Sequence, residues 1–152
     1  MRRRWTFKMT SSSSSSSSLS SGRFNVAVGM LTLAGFAAYG FVLIYLRDFH
    51  PDKAAWIAAS NNGAHFEAKL AHVHGNLLAL LNVVIGFVLA KGVGHDALRK
   101  AAAAFSLAGL VMPVGILGEV LLSTSPIPVL IGAFSAVIGM VLTGLAALNS
   151  WR

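Results

Sequence analysis

Cysteine is missing from this chain, acidic side chains are scarce, with five Asp and Glu among 152 residues, and charged residues make up only 11%. The lack of cysteine excludes disulfides, thiolate metal sites and cysteine nucleophiles, although it does not identify a compartment. The lack of charge, set against 55% hydrophobic residues, is far from the profile of a soluble domain. Also missing are a phosphate-binding glycine loop, a nucleophile elbow and an HExxH pair.

What is there instead is long apolar runs. Four stretches are long enough to cross about 30 Å of hydrocarbon as helices: 25–46, 70–90, 101–122 and 127–150. The connections are too short for another domain, so the expected fold is all-α, an integral membrane four-helix bundle over residues 23–152. The formal charge of +7 suggests nucleic acid until it is located. Arg2, Arg3, Arg4, Lys8 and Arg23 form an acid-free N-terminal cluster, and the remaining basic and acidic residues nearly balance. No nucleic-acid partner is expected. Lys91, Arg99 and Lys100 in the second connection and Arg152 share a side with the basic N-terminus, so the positive-inside rule places both termini in the cytoplasm or its equivalent.

Residues 1–22 contain a basic start and a serine run from Ser11 to Ser18, which reads as a disordered tail or an organellar presequence. The first connection is the longest and most polar. In it, Trp56 and Ile57 suit the membrane interface, and Asn61-Asn62-Gly63 signals a turn into a helix that continues as the second span. His65, Lys69, His72 and Asn76 then share one face. Small residues in the first span (Gly29, Gly35, Gly40) and the fourth (Gly132, Gly139, Gly144) permit close helix contact. Pro113 predicts a kink in the third span.

The candidate chemistry lies in Ala71-His72-Val73-His74-Gly75 and in Glu119. Ionisable groups at membrane depth face a bundle interior, pair, or bind something. His72 and His74 are two positions apart and point about 200° apart on a helix, so they cannot chelate one ion. His72 has the better face for an imidazole ligating a planar macrocycle, since Gly75 and Ala79 leave a shallow strip beside it and Asn76 lies one turn on. His74 is the alternative ligand. Glu119 is expected at the depth of His72 on an antiparallel neighbour. There it would either fix the histidine tautomer or act on a substrate as an acid or base. Pairing with Arg47 or Lys69 is its structural alternative. A zinc site would need further ligands from His50, His65 or Glu119 and ranks below haem.

These residues resemble the small four-span membrane isomerases represented by styrene oxide isomerase and hydroxylaminobenzene mutase. The likeness rests on AHVHG at 71–75, on the distance to the basic turn KGVGHDALRK, and on the short third connection ending at Ser125-Pro126. It covers about half the chain. It implies haem b with His72 as axial ligand, a trimer with haem between subunits, and Lewis-acid rearrangement of a small lipophilic substrate, an epoxide or hydroxylamine. Two positions depart from the group's pattern: Leu78 stands where an asparagine is common, and Glu119 where a tyrosine stands. Asn76 or Asn82 would replace the missing amide, and an ungapped register favours His74. The competing expectation is a non-enzymatic membrane protein or an accessory subunit of a larger membrane complex.

Overall fold

The computed structural model describes residues 14–150 in backbone and 22–150 in side-chain surroundings. Six helices follow one another: α1 Ser14–Asp48, α2 Lys53–Ala58, α3 Gly63–Ala90, α4 Asp96–Ala108, α5 Val111–Leu122 and α6 Ile127–Asn149. Within them lie four segments long and apolar enough to cross a membrane, with α4 and α5 together forming the third. Their lengths of 23 to 28 residues correspond to about 35–42 Å of helix, more than the hydrocarbon core requires. α1 begins at Ser14, so the stretch expected to be a tail is helical from there. Extending a formed helix costs little per residue, and serine is only mildly unfavourable in it. The rest of the expected tail, residues 1–13, lies outside the described residues, as does Arg152.

The third span is broken where the sequence anticipated a kink. Pro113 has no N–H to offer the carbonyl four residues earlier, and its ring crowds that carbonyl. That carbonyl belongs to Gly109, and it accepts instead from Met112 N at 3.1 Å, closing a shorter turn between α4 and α5. At its far end α5 stops on Ser123, in the left-handed region at φ 52°. Ser123 N returns to Glu119 O at 3.1 Å and Thr124 N to Gly118 O at 3.4 Å, which satisfies carbonyls that the helix leaves open.

α1 packs chiefly on α3 and α4 on α6, while α5 joins α3 to α6. Close approach makes the α1–α3 seam. A methyl added at Gly29 would lie 2.8 Å from Ala79 O, and one at Gly86 would lie 2.7 Å from Gly22 O, so the backbones touch. Apolar residues sit between helices at Leu78, Ala79, Leu110 and Ala136, and at Ile85, Leu89, Ala102 and Ala103. Between these clusters the bundle buries amides. Asn25, fully buried, donates from Nδ2 to Asn82 Oδ1 at 3.1 Å and to Ala103 O at 3.2 Å. Asn82 donates to Leu78 O at 3.0 Å and Ser106 O at 2.9 Å. One polar clamp therefore ties α1, α3 and α4. Where lipid tails are as apolar as the core, such bonds and close packing hold helices together.

The Lys91–His95 turn is held by a single cation. Arg99, 8% exposed, donates to Gly92 O, Gly94 O and Asp96 Oδ1. Gly92 and Gly94 take φ of 77° and 71°, which a side chain would oppose. At the opposite end, α2 was not anticipated from sequence. The Asn61-Asn62-Gly63 turn and the helix running on into the second span are as expected, with Gly63 at φ 59°.

Candidate functional site

His72 sits on α3 against α1, where a residue without a Cβ makes room for it. A methyl at Gly40 would stand 2.7 Å from His72 Cε1. The ring Nδ1 lies 2.9 Å from the Phe36 carbonyl oxygen. A carbonyl only accepts, so Nδ1 carries the proton and the neutral ring keeps its lone pair on Nε2. Asn76 Nδ2 donates to His72 O at 2.9 Å and lies 3.3 Å from both ring nitrogens. A position in the ring plane between the two nitrogens would collide with Cε1, so the amide lies over the ring face. The Nε2 lone pair thus keeps no in-plane partner among the described residues. The ring borders a groove of about 470 Å³ whose other walls are Ala37, Gly40, Phe41, Leu43, Ile44 and Asn76. Its walls are apolar apart from His72 and Asn76, and Phe41 and Ile44 are exposed on its rim.

The strip beside His72 expected to receive a cofactor is occupied by this chain. A methyl at Gly75 would lie 2.3 Å from the Phe36 ring, and Ala79 is fully buried against Gly29. Both residues therefore serve the α1–α3 seam, and the open side of His72 is the Gly40 side. Sequence alone could not decide this, because the glycine offers room without saying which neighbour takes it. His74 points elsewhere, its Nδ1 2.9 Å from Leu70 O of its own helix. The two histidines do not converge.

Glu119 does not meet His72. The carbonyl of Phe36, not a carboxylate, fixes the tautomer. Glu119 is not among the groove's walls, and its Oε1 is enclosed without a hydrogen-bond partner. The alternative ion pairs are not formed either: Arg47 bonds Asp48 at 2.8 and 2.9 Å, and Lys69 donates to Ser60 O. The Schellman-type end of α5 fixes the Glu119 carbonyl, while its side chain remains the one enclosed carboxyl oxygen without a partner among the described residues.

Above His72 the seam continues toward the long connection. Leu43 and Ile44 pass from the His72 groove into a smaller cavity bounded also by Arg47, His65 and Lys69. His65 in turn borders a third cavity with His50, Asp52 and Trp56. There Trp56 stacks on His65 with ring centres 4.2 Å apart and planes at 16°, and the Trp56 carbonyl bonds His65 Nδ1. His65, Lys69, His72 and Asn76 thus line one seam, as their spacing predicts. The Asn25–Asn82 clamp was missed as a structural centre. Its sequence signal was an asparagine in each of two apolar runs, Asn25 opening the first and Asn82 inside the second.

Fold and groove together define a four-span helical membrane protein with a single oriented imidazole on a surface groove. Among the described residues no group of three or more His, Cys, Asp or Glu is placed to hold a metal ion. Comparison with known proteins adds no relative: no family model, curated protein or solved structure matches the chain.

Proposed function

We propose that this protein is a haem-dependent membrane isomerase or mutase, acting on a small lipophilic, epoxide- or hydroxylamine-like substrate that enters from the bilayer. The observation that carries the reading is His72, whose Nδ1–H is tied to a backbone carbonyl while its ring borders an apolar groove. Haem-ligating histidines are oriented by such an outer bond, which fixes the tautomer and raises ligand basicity. One imidazole suffices for a macrocycle that brings its own four nitrogens, whereas a zinc site needs three or four protein ligands. Haem b, when bound, supplies ferric iron as a Lewis acid toward the substrate oxygen.

The chain's own residues do the rest. The Phe36 carbonyl holds the ring, Gly40 admits its edge, and Asn76 covers its face. Leu43, Ile44 and Phe41 give the groove apolar walls. The groove opens outward from the bundle, so a second copy of the chain would cover its other side, in keeping with a homo-trimer. Glu119, which does not line the groove, serves as an acid or base only if a neighbouring copy brings it to the substrate.

The test is an optical spectrum. Purified protein loaded with haem should show a Soret band that His72→Ala abolishes and that His74→Ala and Glu119→Gln leave in place. Haem-supplemented protein with no Soret absorption and no extractable haem overturns the reading.

A further inference from the structure

The seam above His72 has a polarity that the macrocycle reading does not use. Its lower part is apolar around Leu43 and Ile44, and these two side chains continue into the cavity that ends on Lys69 and Arg47. Lys69 precedes His72 by three residues, about 4.5 Å along the helix axis, and the two sit on one face of α3. Lys69 gives one hydrogen bond to Ser60 O and belongs to none of the ion pairs among the described residues. Its remaining N–H donors stay available for an anion. Arg47 is already committed to Asp48, whose carboxylate it neutralises. The seam is therefore an apolar slot with a cation at its connection end and an imidazole farther down.

From this the geometry points to Lys69 as the anchor for the carboxylates of a macrocycle held at His72. The occupant is a flat apolar ring system with its acid groups at one edge, as in haem b. Its carboxylates turn toward the long connection and its apolar edge toward Ala37 and Asn76. Charge complementarity selects this direction: the reverse would place two carboxylates in the apolar end of the groove, where burial without a partner is costly. The inference rests on the reading of His72 given above.

The experiment separates the two. Apo full-length protein in neutral detergent is titrated with metal-free protoporphyrin IX and with its dimethyl ester, followed by porphyrin fluorescence. The metal-free ring removes ligation by His72 from the measurement. Wild-type protein should prefer the diacid by about tenfold, the scale of one charge-assisted hydrogen bond. Lys69→Gln should lose that preference, and Lys91→Gln, at the opposite end of α3, should keep it. Equal binding of diacid and diester, a preference that survives Lys69→Gln, or no porphyrin binding overturns the anchor. A parallel haemin titration reports on the ligand. If the diacid preference depends on Lys69 but the haemin spectrum ignores His72→Ala, the anchor stands and the haem ligand assignment falls. If His72→Ala abolishes the Soret band while diacid and diester bind alike, the assignment stands and the anchor falls.

Discussion

At the scale of single residues, the site depends on the missing Cβ of Gly40. Gly40→Ala would place a methyl 2.7 Å from His72 Cε1, inside contact distance. The ring must then turn away from the Phe36 carbonyl. Loss of an outer-shell partner typically costs 10–100-fold in metal affinity. Gly40→Ala should accordingly weaken haemin binding by about tenfold or more, and the imidazole ¹⁵N shifts of His72 in the apo protein should lose their Nδ1–H pattern. An unchanged tautomer in that variant would show that the glycine is not what seats the ring. His72 and its face-sharing partners were legible from spacing alone. That Phe36 fills the Gly75 strip was not, because spacing on one helix says nothing of the side chain arriving from another.

At the scale of helices, two polar devices hold elements that hydrocarbon alone would leave loosely joined. The Asn25–Asn82 clamp reaches α1, α3 and α4. Replacing Asn82 by leucine removes three hydrogen bonds and should destabilise the bundle by about 1–2 kcal/mol. Asn25→Ala should be strongly non-additive with it, since the two amides share a bond. Unfolding in mixed detergent with SDS measures both, and full additivity would mean that the two amides act independently. The α4–α5 break makes a separate prediction. Pro113→Ala returns an N–H to the Gly109 carbonyl, so the third span should straighten. Spin-label distances between the ends of α4 and α5 should lengthen; unchanged distances would place the cause of the break elsewhere, in Gly109 and its contact with Ala136.

The whole molecule exposes large apolar side chains on every long helix, with Leu31 74%, Phe41 73%, Phe87 59%, Phe134 69% and Leu148 66% exposed. Such a surface suits lipid or further copies of the chain, and in water it would aggregate. With four spans, the start of α1 and the end of α6 belong on one side and the long connection on the other. The positive-inside rule, applied to the basic Lys91–Lys100 segment, predicts that the first side is the cytoplasmic one. Because the chain has no cysteine, single introduced thiols are clean reporters. Ser150→Cys and Gly92→Cys should label from the cytoplasmic side, and Asn61→Cys from the other. Labelling of all three from one side would overturn the topology.

Composition and apolar run length determined the class of this protein, because a bilayer admits only helices or closed barrels and the runs have helical length. Sequence also determined the kink region, through the missing N–H of Pro113, and the shared face of His65, Lys69, His72 and Asn76, through the helical repeat. Tertiary structure decided which side of His72 is open, which carbonyl orients it, and that Glu119 stands apart from it. Those outcomes depend on which backbone approaches α3 and in what register. The glycines of α1 permit the approach, but only the packed bundle specifies it.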